Sequence, residues 1–380
     1  MRICFISHTA GRGGAEFALL ELLQGLVAEG IDCKVFVPKT GPLLEALNCL
    51  GIEWKIVRYP RWVGVARHRL MSGRVLRLIK TLLLAIPMAR EIEKWQCDIV
   101  FSNTATIGAG AFAALLSRRP HIWHLHEFGY LDHNFIFDLG KRRASRLIGR
   151  LSAVVIANSY AVAKYFAPYI EPNKVRVIYQ AVTPRESPHD FISGNQFFRC
   201  VIVGTLNAHK GQEEAITAVS EVVRRGIDIH LLVVGEGRRC FTAALLQRVK
   251  DHGLEQRVKF YGYAENPMPL ITAGDLMLMC SRQEAFGRVT VEAMLAGKVI
   301  IGSNSGGTAE LIQDGGTGLL YSAGNPVDLA NKIQYLYENP KERSRLGTAA
   351  RIWAADRFTQ DRYAREVINL LSDVLAKRKA

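Results

Sequence analysis

The sequence is sparing with cysteine, and none of its cysteines is spaced for shared work. Seven occur in 380 residues, at positions 4, 33, 49, 97, 200, 240 and 280. Their odd number and the lack of a C-x-x-C pair exclude a disulfide framework and a zinc ribbon, and fit buried thiols in a reducing cytoplasm. Long apolar runs are missing as well. The most apolar stretch, Thr81 to Ala89, is followed at once by Arg90 and Glu91 and falls far short of the roughly 20 residues that span a bilayer. The opening MRICFISHTAGRGGAE passes from a short apolar strand straight into glycines, so no signal peptide is expected. The His121-Ile-Trp-His124-Leu-His126-Glu127 run has neither an H-E-x-x-H helix nor an Asp-x-Asp pair beside it, so no metal is expected. A dinucleotide fingerprint is absent too: after Gly11 and Gly13 the pattern needs glycine at 16 and finds Glu16, and after Gly235 and Gly237 it finds Cys240. A glycine loop at Gly13 and Gly14 that approaches a phosphate or a sugar remains open.

What is present describes a compact protein. Hydrophobic residues make up 49% of the chain and charge is dispersed, which excludes a disordered or fibrous chain. The length favours two domains over one core. The formal net charge of +14 is uneven: residues up to Thr183 hold 24 basic and 13 acidic side chains, and the remainder 25 and 22. The first half therefore owns the positive field and suits an anionic partner, whether a lipid surface or an anionic acceptor. Nucleic acid is not expected, because no recognised motif with stacking aromatics accompanies the charge.

Short β-branched runs alternate with amphipathic stretches in both halves, the pattern of βα units around parallel sheets. Strands are expected at Ile3–Ser7, Cys33–Val37, Ile99–Ser102, His121–His124, Ala153–Ala157 and Val175–Tyr179, then at Cys200–Gly204, Ile229–Gly235, Val258–Tyr261, Leu276–Met279 and Val299–Gly302. This gives an α/β protein of two doubly wound, Rossmann-like domains. The domains are placed at 1–183 and 197–360, with a Pro- and Ser-rich linker at 184–196 and a C-terminal helix at 361–380 that could cross back to the first domain.

In such sheets ligands gather where strands end. After Leu276–Met279 comes SRQEAFGRVTVE, which puts Glu284 on a loop, Gly287 at a helix start and Glu292 further along that helix. Glycine at a helix start lets a phosphate approach backbone N–H groups with the helix dipole behind them. Glu292 is placed for a ribose diol and Glu284 for a more distal polyol, unless both are simply solvated. Lys210, in VGTLNAHKG, can aim an ammonium at a diphosphate. Alternation along His121–His124 sends His124 and His126 to one side, where a histidine could hydrogen-bond a sugar hydroxyl.

Together these motifs resemble the family 4 retaining glycosyltransferases of the GT-B fold. The resemblance rests on Val203–Gly211, on Gly235-Glu-Gly237, on Ser281–Met294 with its E-x7-E spacing and Phe286-Gly287 pair, and on Gly306–Leu320. It is strong over residues 200–322 and weaker at Gly13-Gly14-Ala15-Glu16 and His126. It implies two domains facing a cleft and transfer of a sugar from a nucleotide sugar to a glycan or lipid-linked acceptor, with retention, without metal and without any other cofactor. It places the diphosphate on Lys210 and the backbone from Phe286 through Gly287 and Arg288 to Val289. The ribose falls to Glu292 and the donor sugar to Glu284, with Gly13 and Gly14 closing from the first domain and His126 in the active site. Thr205 stands where many members carry arginine, and Gln180-Ala181 where Asn-Gly is usual. The competing readings are a catalytically silent nucleotide-sugar-binding homologue and a sugar-nucleotide 2-epimerase.

A last feature concerns the acceptor. Between Arg58 and Lys80 lie seven basic residues and no acid, interleaved with Trp62, Leu70, Val75, Leu76, Leu78 and Ile79, and Arg142, Arg143 and Arg146 extend the same charge. The segment is either an ordinary packed helix or an interfacial helix on anionic lipid. The second reading makes the protein cytoplasmic and peripheral on the inner face of a membrane, where glycans of the lipopolysaccharide or polysaccharide kind are built.

Overall fold

The protein is described by a computed structural model, over residues 1–65, 71–183 and 197–379. The 184–196 segment and Arg67, Arg69 and Leu70 of the basic segment lie outside the described residues. The chain forms two compact units, Met1–Val182 together with Thr359–Ala380, and Thr183–Phe358.

The first unit contains the strands β1 (Arg2–Ser7), β2 (Asp32–Val37), β3 (Glu53–Ile56), β4 (Val63–Val65), β5 (Ile99–Asn103), β6 (His121–Leu125), β7 (Phe135–Phe137), β8 (Val154–Ala157) and β9 (Val175–Val177). Seven form a parallel sheet in the order β3-β2-β1-β5-β6-β8-β9, while β4 and β7 pair antiparallel. Helices cover both faces, so the central strands are continuous apolar runs. Alternate residues of β1 go to opposite sides. Ile3 and Phe5 pack with Leu19, Leu22 and Leu26 of the helix Gly14–Ala28 and with Tyr363, Val367 and Leu371 of the C-terminal helix Gln360–Lys379. Cys4 and Ile6 pack with Ala85, Met88 and Ile92 of the helix Met71–Lys94. Each large side chain so buried stabilises the unit by about 1.5–3 kcal/mol.

The second unit contains β10 (Phe198–Val203), β11 (Ile229–Val234), β12 (Val258–Gly262), β13 (Leu276–Met279), β14 (Val299–Ser303) and β15 (Leu319–Tyr321), a parallel sheet ordered β12-β11-β10-β13-β14-β15. Its core joins Ile202, Leu231, Val233, Leu278 and Ile301 to Ala215, Val219 and Val222 of the helix Gln212–Arg224. Both sheets reverse direction of winding next to their first strand, between β1 and β5 and between β10 and β13. Loops leaving neighbouring strands diverge there and open a crevice at the strand carboxyl ends.

Four strands depart from the sequence reading: β3, β4, β7 and β15 are only three or four residues long, too short to show a period. Cys49 and Cys240 are exposed free thiols rather than buried ones. The strand β6 is buried on both faces, so His124 has no solvated side; His126 lies just beyond the strand. Trp62 is not part of a basic surface. It is buried, stacks on Trp123 at 5.4 Å between ring centroids and donates its indole N–H to the Ala105 carbonyl at 2.6 Å.

Candidate active site

In the second unit the loops after β10 and β13 meet at the winding reversal. Lys210 Nζ donates to Glu284 Oε2 at 2.7 Å, with side chains 27% and 15% exposed. The loops are locked together by backbone: Arg282 N–H donates to the His209 carbonyl at 2.8 Å. Gly211 then has to turn at φ +71 beneath Cys280, where a Cβ would stand 2.0 Å from the Cys280 carbonyl oxygen. Only glycine fits, so Lys210 is fixed immediately before the cap residue of the helix Gln212–Arg224.

Gly287 plays the matching part after β13. At φ +99 it caps the helix Arg288–Leu295, whose first internal bond runs from Thr290 N–H to the Gly287 carbonyl at 3.0 Å. The backbone N–H groups of Arg288 and Val289 therefore open the helix, where anions are favoured. Phe286 is buried and meets Phe358 edge-on at 5.7 Å, which anchors the loop. Gly306-Gly307 supports it from beneath, with Gly307 N–H donating to the Glu284 carbonyl at 2.6 Å. Glu292, Arg288 and Val289 are half-buried on the same helix. The structure thus brings Lys210, Glu284, Phe286, Gly287, Arg288, Val289 and Glu292 into one neighbourhood of loops and a single helix. The Gly235-x-Gly237 pattern serves the fold itself, since Gly237 bridges Leu206 and Leu206 N–H donates to the Glu236 carbonyl at 2.8 Å.

In the first unit the ends of β1, β5, β6, β8 and β9 supply the polar groups. Gly13 caps the helix Gly14–Ala28, and its N–H donates to Glu16 Oε2 at 3.1 Å. Glu16, buried, also accepts from the Thr9 hydroxyl at 2.6 Å and faces His8 Nδ1 at 3.2 Å. Burial pushes the His8 imidazole down to about 4 against the pull of Glu16, so His8 is neutral at pH 7. His126 sits between two amides, with Nε2 at 2.7 Å from Asn103 Oδ1 and Nδ1 at 3.2 Å from Gln180 Oε1. Asn103 Nδ2 in turn donates to the Ala15 carbonyl at 3.0 Å. That bond fixes the Asn103 oxygen as acceptor and makes His126 Nε2 a donor.

Three groups here were given no role by the sequence reading. Glu127 is fully buried and accepts from Ala105 N–H at 2.8 Å; burial, reinforced by Asp132, pushes its carboxyl up to about 8. Thr104, a β-branched residue, is held at φ +101 by Trp123, whose indole donates to its carbonyl at 2.7 Å. Such strain costs about 1–3 kcal/mol and gathers at functional loops. Glu16 did carry a signal, since it stands three residues after a helix cap. Among the described residues no three His, Cys, Asp or Glu side chains converge as metal ligands.

Two doubly wound parallel-sheet units, one bearing a lysine–glutamate pair beside a glycine-capped helix start, are the architecture expected of a GT-B glycosyltransferase. Comparison with known proteins supplies the family. Residues 12–186 match the model described as Glycosyltransferase Family 4 and residues 191–353 that of Glycosyl transferases group 1. The chain belongs to this family. It is 28% identical over 237 residues to the N-acetyl-alpha-D-glucosaminyl L-malate synthase of Bacillus anthracis, covering 60% of this chain and 61% of that one. With a D-inositol 3-phosphate glycosyltransferase of Arthrobacter it shares 25% identity over 93% of this chain and 90% of the other. Against two Streptomyces kanamyceticus glycosyltransferases the match spans only 38% and 40% of their lengths. Among solved structures, HepE of Anabaena in complex with UDP superposes with a TM-score of 0.81 at 25% identity, covering 98% of this chain and 100% of HepE; HepE has also been solved with UDP-glucose.

Proposed function

We propose that the protein transfers a glycosyl group from a nucleoside diphosphate sugar to a glycan or lipid-linked acceptor, with retention and without a metal ion. The observation that carries this reading is the Lys210–Glu284 pair beside the Gly287 helix start. Departure of a diphosphate from an oxocarbenium-like sugar asks for charge stabilisation at the leaving oxygens more than for a strong base. Lys210 and the N–H groups of Arg288 and Val289 supply it. Glu292 takes the ribose diol and Glu284 the hydroxyls of the donor sugar. In the first unit His126 and the helix start at Gly13 and Gly14 are assigned to sugar or acceptor hydroxyls. The acceptor oxygen forms its bond to the anomeric carbon on the face the diphosphate leaves, and its proton passes to a diphosphate oxygen. The relatives' names, with malate and inositol phosphate among them, support a hydroxyl acceptor carrying negative charge.

The test is a panel of nucleotide sugars, beginning with UDP-glucose, screened for thermal stabilisation and then for release of nucleoside diphosphate on addition of acceptor. Donor binding with no acceptor-dependent release would leave a silent nucleotide-sugar-binding homologue. Isomerised sugar without an acceptor would identify an epimerase.

The same reading extends to a membrane surface. No helix among the described residues is long and apolar enough to cross a membrane. The helix Met71–Lys94 nevertheless leaves Val75, Leu76, Ile79, Leu82, Leu83 and Ile86 exposed. Spaced by threes and fours, these form one stripe, flanked by exposed Lys80 and Arg90. Peripheral docking on anionic lipid covers such a stripe. Co-sedimentation with anionic vesicles should be lost in a Leu76→Glu/Leu83→Glu variant and weakened by salt; equal recovery of both proteins would discard the membrane reading.

A further inference from the structure

The first unit holds a cavity of about 360 Å³ that none of the donor residues lines, within the range of small-molecule sites, roughly 300–1,000 Å³. Its walls come from the short helix Tyr130–His133, from β7, from the start of the helix Lys141–Leu151 and from the helix Tyr160–Phe166: Tyr130, Leu131, Phe135, Phe137 and Tyr165 make them apolar and largely aromatic. Lys141 is the one charged residue among those lining it.

Lys141 is placed as a cation kept for a ligand. Its ammonium stands 3.4 Å above the centre of the Tyr165 ring and 5.4 Å from that of Tyr169, and no carboxylate among the described residues answers it. Partial burial lowers its pKa, as expected of an ammonium set against rings rather than in water. It is also the first residue of an eleven-residue helix that continues with exposed Arg142 and Arg143, so the helix dipole adds to its field. Asp132, in the helix Tyr130–His133, is buried and accepts from Phe128 N–H at 2.9 Å, and its charge is felt at the Tyr165 ring.

An apolar hollow with a single cation at its edge matches a ligand with an apolar body and one anionic group. The position fits the route to the reaction. The wall begins at Tyr130, four residues after His126, and β7 runs directly into Asp138, which is buried and binds Arg77 of the exposed-stripe helix, with Arg77 Nε donating to Asp138 Oδ2 at 2.7 Å. The cavity is therefore tied by one ion pair to the helix that carries the apolar stripe.

We infer that this cavity is a binding site for an anionic amphiphile, with the apolar chain against Tyr130, Leu131, Phe135, Phe137 and Tyr165 and the anion on Lys141. Resting on the transfer reading, it assigns the acceptor to that chemical class.

The probe is octyl phosphate, used below its micelle concentration on the full chain in titration calorimetry, with octanol and inorganic phosphate as its two halves. Octyl phosphate should bind at least tenfold more tightly than either half. Lys141→Gln should weaken it about tenfold, the scale of one charge-assisted hydrogen bond, and leave octanol unchanged. Leu131→Trp, which fills the hollow, should abolish binding of both chains; if that variant fails to fold, Lys141→Gln decides alone. Octyl phosphate that binds no better than inorganic phosphate, or equally well to Lys141→Gln, overturns the inference. UDP and GDP are titrated in parallel: a chain that takes octyl phosphate but no nucleoside diphosphate or nucleotide sugar refutes the transferase reading and leaves the cavity site standing.

Discussion

Replacing Glu284 by glutamine should move two affinities in opposite directions. In the free protein Lys210 Nζ already donates to Glu284 at 2.7 Å. A diphosphate that takes up a bond to the same ammonium lies with its oxygens roughly 5 Å from the carboxylate, counting one further hydrogen-bond length. Like charges at that distance repel by about 1 kcal/mol in water and about 3 kcal/mol at an effective dielectric of 20. With the two side chains 27% and 15% exposed, the lower end applies. Glu284→Gln should therefore tighten binding of a bare nucleoside diphosphate about fivefold, and the gain should shrink at 1 M salt. The intact donor behaves differently. If Glu284 accepts sugar hydroxyls, the substitution exchanges charge-assisted bonds for neutral ones at a cost of about 1–3 kcal/mol in the transition state, so kcat/KM falls roughly 10- to 100-fold. Titration calorimetry with the diphosphate and initial rates with the donor separate the terms. Diphosphate binding that weakens in the variant, or transfer that is unchanged, would refute the division of labour between Lys210 and Glu284.

Lys210→Ala should lower kcat by roughly 10²-fold or more, the scale of one preorganised charge-stabilising group; near-normal turnover would mean that the helix start suffices. His126→Ala should reduce transfer while nucleoside diphosphate binding stays intact, and parallel loss of both would make His126 a purely structural tie between Asn103 and Gln180. Glu127 gives a pH signature. Its folded pKa of about 8 stands above the ordinary carboxyl value, so the folded chain keeps a proton that the unfolded chain releases, and stability falls as pH rises from about 4.5 to about 8. Glu127→Gln, which still accepts from Ala105, should be near neutral at pH 5 and stabilising by a few kcal/mol at pH 8. Urea unfolding at the two values is the measurement, and parallel curves for both proteins would remove the buried carboxyl from the account. His8 and His121 pull the other way. Their folded values of about 4 and about 3 lie below the free imidazole, so both cost stability as pH drops below about 6.5.

The fold was largely legible because parallel sheets buried on both faces write themselves as apolar runs. Cys4-Phe5-Ile6 and Leu231-Leu232-Val233-Val234 are buried throughout, and short apolar runs bounded by turn signals suit strands covered on both faces. The missed strands are edges or excursions. Glu53–Ile56 carries two charges in four residues and lies at the sheet edge, where solvent tolerates them. Val63–Val65 and Phe135–Phe137 pair only with each other, a contact between segments about seventy residues apart that no window along the chain can see. Trp62 was misread for a related reason. Basic neighbours gave it an interfacial look, whereas its partners, Trp123 of β6 and the Ala105 carbonyl in the turn after β5, are met only after folding.

The same distinction explains why one site was legible and the other was not. In the proposed function a diphosphate is held by backbone N–H groups and one lysine, and backbone can be aimed only by short, local devices: a glycine that turns, a helix that begins. Gly211 and Gly287 therefore sit next to the groups they aim, and the spacing from Lys210 to Gly211 and from Glu284 to Glu292 survives as a readable motif. Sugar and acceptor hydroxyls need side chains, and a side chain can be supplied by the end of any strand. His126 is oriented by Asn103, 23 residues earlier, and by Gln180, 54 residues later; Glu127 is buried against the loop that Trp123 strains at Thr104. The position where relatives of this kind usually carry Asn-Gly is here Gln180-Ala181, and the longer amide is what reaches His126. A substitution that reads as a departure in the sequence is, in the folded protein, a hydrogen bond to His126. Gln180→Ala should thus disturb transfer in the same sense as His126→Ala but more weakly, and a variant that leaves transfer and the His126 NMR titration untouched would show that Asn103 alone holds the ring.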